Sequence, residues 1–455
     1  MMKIIVAQKH RNLSRLIVVA FSAIVALSGN VMSVNGAEVR SANKTFADWC
    51  RQKADLSPET KHTVEVLLKK AGTTDCNAAN RKLSSLTELQ LGFNRIRDIK
   101  PLSSLTKLTV LDLYYNQIND IKPLASLTKL TDLNLNNNKI SDIKPLVSLT
   151  NLTWLFFNEN PIDDIKPLAS LTNLQFLALS NNQIDDIKPL ASLTNLRHLF
   201  LGSTQISDIK PLTSLTNLQV LGLSNNQIND IKPLASLTNL NKLFLNNNQI
   251  NDIKPLTSLT NLTSLDLSTN PIDDIKLLAS FTKLTQLSLG NNLSGDIKLL
   301  ASLTNLTSLD LSNNRISDIK LLASFTKLTW LELNNNQISD IKPLASLTKL
   351  TWINLRDNQI GDIKPLASLT KLEFLYLNNN LLNDIKPLAS LTKLKKLELS
   401  GNPITPKTCP LSPESICQWK PPLFSQPPPA PSLPTLPTPS LPTPELFIPP
   451  TPPVL

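Results

Sequence analysis

Leu105-Thr-Lys-Leu-Thr-Val-Leu-Asp-Leu-Tyr-Tyr-Asn-Gln-Ile-Asn-Asp-Ile-Lys-Pro-Leu124 is one copy of a 22-residue unit that recurs fifteen times between about residues 83 and 404. Its asparagine, Asn116, returns every 22 residues from Asn94 to Asn402, and Thr204 is the one exception in that series. A constant period of this size predicts a solenoid, in which each repeat packs only on its neighbours.

Each repeat carries an alternating run around a Leu-x-Leu pair such as Leu111 and Leu113. Alternation with period two predicts a strand whose leucines face inward and whose other side chains face outward. The asparagine that follows can satisfy buried backbone groups that strand pairing does not reach. We therefore expect a stacked asparagine ladder with one weak position at Thr204.

The return half of the repeat carries apolar residues at a spacing of three, as in Ile118, Ile121 and Leu124. This spacing favours a 3₁₀ turn or short helix, and Pro123 suits its first turn. We expect an α/β solenoid: a horseshoe with a parallel β-sheet on the concave face and 3₁₀ or short helical segments on the convex face. The stretch Asn292-Leu-Ser-Gly295 is predicted to be irregular, because serine stands there where other repeats have isoleucine.

The unit closely resembles the internalin type of leucine-rich repeat, and the stretch Ile118-Asn-Asp-Ile-Lys-Pro-Leu-Ala-Ser-Leu-Thr128 carries the match. The resemblance extends over about 320 of the 455 residues. It implies a bacterial surface or secreted protein that binds a partner protein on its concave face. The chain departs from that type in lacking a Leu-Pro-x-Thr-Gly anchor, and its ends are similar to those of secreted leucine-rich repeat proteins of cyanobacteria.

Five segments are predicted along the chain. They are residues 1–37, a signal peptide; 38–82, a helical N-terminal cap; 83–404, the repeats; 405–420, a disulfide-linked C-terminal cap; and 421–455, a proline-rich tail. The first segment has basic residues ahead of an apolar run at 16–27, which is typical of a secretory signal; an uncleaved membrane anchor is the alternative. No later apolar stretch is long enough for a membrane span, so we expect a secreted, periplasmic or cell-surface protein.

Four cysteines flank the repeats in two pairs. The two ends of a long solenoid lie too far apart for a disulfide, so the sequence predicts Cys50–Cys76 and Cys409–Cys417. A zinc site is the rival interpretation, but it needs four ligands together. Within the N-terminal cap, a helix is predicted between Ser57 and Gly72, with Pro58 in its first turn.

The tail holds 15 prolines in the 35 positions of 421–455. Such a composition predicts an extended segment of polyproline II type. It would serve as a spacer or, alternatively, as a docking segment for an aromatic groove.

The formal net charge of +10 overstates how basic the folded part is. Removing the four basic residues of the predicted signal leaves +6 on residues 38–455. The remaining charge lies mostly in two interleaved columns, fourteen aspartates that begin with Asp98 and fourteen lysines that begin with Lys100. Alternating charges of this kind indicate a solvated convex face, and they do not support nucleic-acid binding.

Aromatic residues recur at outward positions of the strands, where the core does not need them. Large apolar groups on a surface often mark an interaction site, and aromatic residues dominate binding hot spots. We expect one patch from Tyr114 to Phe244 and another from Trp330 to Tyr376, with small polar residues between them. The predicted partner-binding residues are Tyr114, Tyr115, Trp154, Phe156, Phe176, His198, Phe200, Phe244, Trp330, Trp352, Arg356, Phe374 and Tyr376.

Other interpretations of these aromatic residues stay open. Neighbouring rings can simply pack across strands and stabilise the sheet. A polysaccharide could stack on Trp154, Trp330 and Trp352, and a structural envelope protein would need no ligand at all. The preferred interpretation is a monomer that binds a protein partner, with concave charges such as Asp112 and Glu332 selecting for charge.

Enzymatic activity has little support in this sequence. Of the three histidines only His198 falls on the predicted concave face, and just 10 glycines occur in the chain, none in a phosphate-binding loop. Asp266 and Asp310 lie two repeats apart, about 10 Å, which is too far to share one calcium ion. We therefore expect no enzyme, no cofactor and no metal site.

Overall fold

The structure is a computed structural model that describes residues 44–272, 274–292 and 297–420. The predicted signal peptide, most of the predicted irregular stretch at 292–295 and the proline-rich tail lie outside the described residues. Three helices precede the repeats: α1 (Phe46–Arg51), α2 (Pro58–Ala71) and α3 (Cys76–Leu83).

Each repeat then contributes one three-residue strand, and the C-terminal cap adds a two-residue strand. The strands are β1 (Glu88–Gln90), β2 (Val110–Asp112), β3 (Asp132–Asn134), β4 (Trp154–Phe156), β5 (Phe176–Ala178), β6 (His198–Phe200), β7 (Val220–Gly222), β8 (Lys242–Phe244), β9 (Ser264–Asp266), β10 (Gln286–Ser288), β11 (Ser308–Asp310), β12 (Trp330–Glu332), β13 (Trp352–Asn354), β14 (Phe374–Tyr376), β15 (Lys396–Glu398) and β16 (Cys417–Gln418).

The sixteen strands form one parallel sheet in strict chain order. The register is one whole repeat: Leu111 pairs with Leu89 on one side and with Leu133 on the other. Short 3₁₀ helices such as Lys122–Ser126 return the chain to the next strand. The predicted solenoid, with its parallel sheet and 3₁₀ return segments, is therefore confirmed.

One continuous apolar core fills the coil. In a typical repeat, five apolar side chains are at most 1% exposed: Leu111, Leu113, Ile118, Ile121 and Leu124. Fully burying one such side chain stabilises the fold by roughly 1.5–3 kcal/mol. A single repeat shares most of this contact surface with its two neighbours, so the repeats are stable only when stacked.

The aspartate column of the return half caps the 3₁₀ helices. Asp120 Oδ1 accepts a hydrogen bond from the backbone N–H of Lys122 at 2.9 Å, and the same bond recurs in most repeats. Within the described ranges, the side chains of this aspartate and lysine pair approach within 4 Å in only three repeats. Ion pairing between the two columns is thus secondary, because a short aspartate side chain bonds most readily to nearby backbone.

The asparagine ladder joins each repeat to the one before it. Asn116 Nδ2 donates to the carbonyls of Leu91 and Leu113, both at 2.9 Å, and its Oδ1 accepts the N–H of Ile96 at 2.9 Å. One side chain therefore satisfies buried backbone groups in two successive repeats, as predicted.

The ladder is weakest at Thr204, also as predicted. Its Oγ1 donates to the carbonyl of Leu201 at 3.0 Å and to Asn226 Oδ1 at 2.8 Å. The threonine hydroxyl is too short to reach the previous repeat. Thr204 therefore forms no hydrogen bond with the N–H of Ile184 or the carbonyl of Leu179, the two groups that an asparagine would bind there.

We expect Thr204→Asn to raise the free energy of unfolding by about 1–2 kcal/mol, because it restores hydrogen bonds to two buried backbone groups. Urea unfolding followed by circular dichroism would measure this gain. Thr213→Asn, on the exposed return side, is the matched control and should change stability by less than about 0.5 kcal/mol. Equal effects of the two substitutions would contradict the role assigned to position 204.

A helical cap covers the first repeat. The predicted helix is α2: Ser57 Oγ accepts the N–H of Thr60, Pro58 opens the helix and Gly72 ends it in the left-handed conformation at φ 69°. Disulfides join Cys50 to Cys76 and Cys409 to Cys417, which confirms the predicted pairing. Sequence analysis missed α1 and α3.

Candidate functional site

Two columns of side chains cover the outer face of the sheet, which is the concave face of this fold. The first column stands one residue before the central leucine of each strand and the second column one residue after it. Strands about 4.8 Å apart bring bulky side chains of one column into contact. The predicted aromatic residues gather here in three clusters rather than two patches.

The central cluster is built around Phe176 on β5. Its ring stacks on Trp154 at 4.9 Å between centroids and 12° between planes, and it meets Phe156 at 4.7 Å. His198 and Phe200 each lie 5.7 Å from Phe176. Offset and tilted contacts at these distances stabilise aromatic groups beyond simple burial.

Burial within this cluster is uneven. Phe176 is only 2% exposed, so the expectation that it stands exposed on the concave face is wrong. Trp154, Phe156, His198 and Phe200 are half-buried and keep surface open to a partner. Burial lowers the pKa of His198, with further lowering from nearby basic residues, so its ring is neutral at physiological pH.

Gly222 on the next strand leaves room for the Phe200 ring to lie against the sheet. A Cβ atom at Gly222 would come within 2.8 Å of Phe200 Cδ1, which is closer than atoms can pack. The Phe200 ring therefore covers β7 instead of pointing away from the sheet. Phe244, on the following strand, is half-buried and lies outside the central cluster.

The C-terminal cluster lies on β12 to β14. Trp330 stacks on Trp352 with centroids 4.7 Å apart and planes at 12°, and Trp352 meets Tyr376 at 5.4 Å. Lys396 Nζ lies 5.3 Å from the centre of the Tyr376 ring and pairs with Glu398 at 2.6 Å. Cation–π contacts of this kind contribute about 0.5–1 kcal/mol at exposed sites.

Only part of the C-terminal cluster is open to solvent. Trp352 is 6% exposed and Tyr376 is 7% exposed, so the expectation of exposed rings is wrong for both. Trp330 and Phe374 are half-buried. Arg356 is also half-buried, and its Nε donates to Asp357 Oδ2 at 2.9 Å.

The N-terminal cluster is the most exposed of the three. Phe93 lies 4.7 Å from Tyr114 and 4.8 Å from Tyr115, and Phe93 and Tyr115 are 62% and 53% exposed. Both have positive φ, 59° and 53°, at a position where most repeats place asparagine. The strand Asp132–Asn134 separates this cluster from the central one, so the single patch predicted from Tyr114 to Phe244 is divided.

Between Phe244 and Trp330 the concave face is polar, as the sequence indicated. Ser288 Oγ lies 2.6 Å from Ser268 Oγ and donates to Asp310 Oδ2 at 2.9 Å. Asp310 Oδ1 accepts the N–H of Ser312 at 2.9 Å. Burial raises the pKa of Asp266, and it raises the pKa of Glu332 to about 9.

A polar groove that was not predicted from the sequence lies at the edge where β4 to β8 begin. Five of its asparagines each donate Nδ2 to a threonine carbonyl of the preceding repeat at 2.9 Å, which fixes the amides in a row. We call it the carboxamide groove; it is lined by Asn151, Thr153, Asn173, Gln175, Asn195, Arg197, Asn217, Gln219, Asn239 and Asn241. The available signal was the run of asparagines in a column that holds lysine in most other repeats.

Across residues 44–272, 274–292 and 297–420, no three histidine, cysteine, aspartate or glutamate side chains converge closely enough to hold a metal ion. Within these ranges, no helix has both the length and the apolar character that crossing a bilayer requires.

Comparisons with known proteins agree with this geometry. The leucine rich repeat family, in its two-copy form, matches residues 84–126, 106–148, 150–192, 194–236, 238–280, 260–302, 282–324, 304–346, 326–368, 348–390 and 370–408. No curated protein sequence matches this chain.

Solved structures of three bacterial proteins are similar to this chain. An internalin from Listeria monocytogenes is 36% identical, with a TM-score of 0.57, and the match covers 74% of this chain and 94% of that one. A leucine-rich repeat protein from Leptospira interrogans is 27% identical, with a TM-score of 0.64 and coverage of 75% and 91%. The functional domain of InlJ from Listeria monocytogenes shares the fold at 24% identity, with a TM-score of 0.61 and coverage of 79% and 76%.

Proposed function

Because this chain belongs to the leucine-rich repeat family and carries repeats of the internalin type, we propose that it is an exported scaffold that binds a partner protein on its concave face. Solenoids of this kind generally present an extended concave surface to other proteins. Two disulfides support a location outside the reducing cytosol. In this proposal the protein has no catalytic role of its own.

The observation that carries the proposal is the clustering of aromatic rings on the outer face of the sheet. The leucines and isoleucines of each repeat already fill the core, so these rings are not needed there. The half-buried rings Trp154, Phe156 and Trp330 combine a fixed orientation with open surface. Preorganised aromatic anchors of this type dominate protein interfaces.

Burial separates the contact residues from the supporting residues. Phe176 and Trp352 are enclosed by their neighbours, so we assign them to positioning the rings around them. The exposed N-terminal rings Phe93 and Tyr115 hold a backbone conformation that costs a non-glycine residue about 1–3 kcal/mol. The same position has positive φ in each repeat, so this conformation belongs to the turn, and it is the exposure of the two rings that favours a functional role.

A pull-down with the mature protein, from envelope extract and medium of the producing organism, tests the proposal. The variant Trp154→Ala, Phe156→Ala, Trp330→Ala should lose the captured partner, because it removes the open rings and spares the enclosed ones. Loss of one interface anchor costs at least about 2 kcal/mol, or roughly thirtyfold in affinity.

The matched control is Val147→Ala, Leu381→Ala, which removes two exposed apolar side chains that lie outside both concave columns. It should capture the partner as well as the wild type does, and circular dichroism should show that both variants are folded. Equal capture by all three proteins would place the binding site off the concave aromatic face and refute the proposal.

A polysaccharide is the second candidate ligand, and the carboxamide groove is the observation that favours it. Amide side chains both donate and accept hydrogen bonds, as sugar hydroxyls require. The groove also runs beside the central cluster, since Thr153 directly precedes Trp154 in the chain. Binding to a glycan array that Gln175→Ala, Gln219→Ala abolishes would favour this ligand over a protein.

A further inference from the structure

The polar stretch between Phe244 and Trp330 forms a notch with an acidic floor. Its second-column residues are Asp266, Ser288, Asp310 and Glu332. The first column contributes small or polar side chains on the first three strands and Trp330 on the fourth. We call this the acidic notch, meaning Asp266, Asp310 and Glu332 with the serines between them.

Glu332 is the unusual member of the notch. It is 7% exposed, and no described residue forms a hydrogen bond with its Oε1. An unpaired, buried carboxyl oxygen destabilises the folded state by about 1–3 kcal/mol, and by more when it is charged. The fold therefore leaves one enclosed carboxyl oxygen unpaired beside the sheet, at a cost to its own stability.

Asp310 adds a second carboxylate directly beside Glu332. The two residues are register partners on the neighbouring strands β11 and β12. Two carboxylates this close repel each other, which disfavours the ionised form of at least one. Asp266 extends the acidic floor through Ser268 and Ser288.

The groups facing Glu332 from the other side do not neutralise it. The Asn354 side chain on β13 and the backbone N–H of Asn334 donate to its carboxyl, and Arg356 contributes positive charge. Arg356 is itself bonded to Asp357 through Nε. Tyr376 on β14 also faces this region, as an uncharged ring. The notch therefore holds more acidic than basic groups, and a cation would complement it.

We propose that the acidic notch receives a basic side chain, lysine or arginine, of the partner protein. This inference rests on the proposed function and names the group that the concave face selects. A guanidinium or ammonium group would pair with the half-buried Asp310 carboxylate and lie beside the enclosed Glu332 carboxyl, whose ionised form its charge would favour. Trp330, two residues before Glu332 on the same face, would meet the flank of that group by a cation–π contact.

A metal ion fits these residues less well. Within residues 297–420, Asp310 and Glu332 lack the third acidic, histidine or cysteine ligand that a metal site needs. Calcium takes six to eight oxygen ligands and is bound mainly by carboxylates and carbonyls. An organic cation requires only the two carboxylates and the adjoining ring.

Calorimetric titration of the mature protein with a tetra-arginine peptide tests this inference. The double variant Asp310→Asn, Glu332→Gln keeps the shape of both side chains and should bind the peptide at least about tenfold more weakly. Asp340→Asn is the matched control: Asp340 is an exposed carboxylate on the return side and accepts an N–H two residues ahead, as Asp310 does. The control should bind within about twofold of wild type.

Proton linkage provides a second readout. Because a bound cation favours the ionised form of Glu332, binding releases a proton, and the affinity of wild type should rise between about pH 7 and pH 9. Glu332→Gln should remove that pH dependence while leaving Asp310 in place. An unchanged pH dependence would contradict the assignment to Glu332.

Several outcomes would overturn the inference. Equal peptide binding by the double variant, or no binding by wild type, would each exclude a basic side chain as the occupant. The proposed function is judged separately, by capture of the partner with the aromatic variant. Capture that needs the aromatic rings but not the two carboxylates would retain protein binding and refute the notch.

Discussion

Asn182→Leu is expected to lower the free energy of unfolding by about 4 kcal/mol, although it changes neither the apolar core nor the predicted binding face. Asn182 Oδ1 accepts the N–H of Ile162 at 3.2 Å, and its Nδ2 donates to the carbonyl of Leu179 at 2.8 Å. Thr204, the ladder residue of the following repeat, does not donate to the Leu179 carbonyl. Asn182 therefore has no substitute as the donor to that carbonyl. Each buried backbone group left unpaired costs about 1–3 kcal/mol.

Leucine is chosen because it matches the branching and size of asparagine and isolates the loss of hydrogen bonds. Asn119→Leu is the control, since Asn119 is exposed and forms no hydrogen bond among the described residues. It should shift stability by less than about 0.5 kcal/mol. Urea unfolding monitored by circular dichroism would compare the two, and similar midpoints would refute the structural role of the ladder.

Glu332→Gln is expected to stabilise the protein by about 3 kcal/mol at pH 7. Burial, with Asp310 beside it, raises the pKa of Glu332 from 4.5 to about 9. At pH 7 the unfolded chain has an ionised Glu332, which must take up a proton on folding. Each pH unit above the ordinary pKa makes that uptake more costly by about 1.4 kcal/mol.

The sign of the pH dependence follows from that proton. The folded state binds it more tightly, so wild-type stability from this group is fully present below pH 4.5 and is lost as pH rises toward about 9. Glutamine carries no proton to lose, so the difference between variant and wild type should grow over that interval. Glu414→Gln, an exposed residue of the C-terminal cap, is the control. A difference that stays constant with pH would refute a buried, neutral Glu332.

These two residues also separate what could be predicted from what could not. Asn182 follows from the repeat itself: a fixed period places it at the strand end, where backbone groups need a partner. Glu332 occupies an outward column, and the groups around it include Asp310, Asn354 and Arg356, which come from neighbouring repeats. The position of a residue in the strand determines the face of the sheet on which its side chain lies. It does not determine how far neighbouring side chains bury it.

The aromatic residues show the same limit. Their columns followed from the sequence, but the enclosure of Phe176 depends on the orientation of four surrounding rings. Gly222 was the sequence signal for the flat Phe200 ring, because a missing side chain leaves room for a neighbour. The helix α1 also had a signal, since Thr45 and Asp48 form a capping box, but six residues are too few for a clear apolar period.

The in-register pairing of the strands makes the 22-residue unit the natural step of change in this molecule. Ladder and sheet bonds join each repeat only to its neighbours, so a whole repeat can be gained or lost while every junction is preserved. One added repeat between Phe244 and Trp330 would move the central and C-terminal clusters apart by one strand spacing, about 4.8 Å, and leave the chemistry of both intact. Duplication or loss of whole repeats can therefore change the distance between the two aromatic clusters in fixed steps, without altering the residues of either cluster.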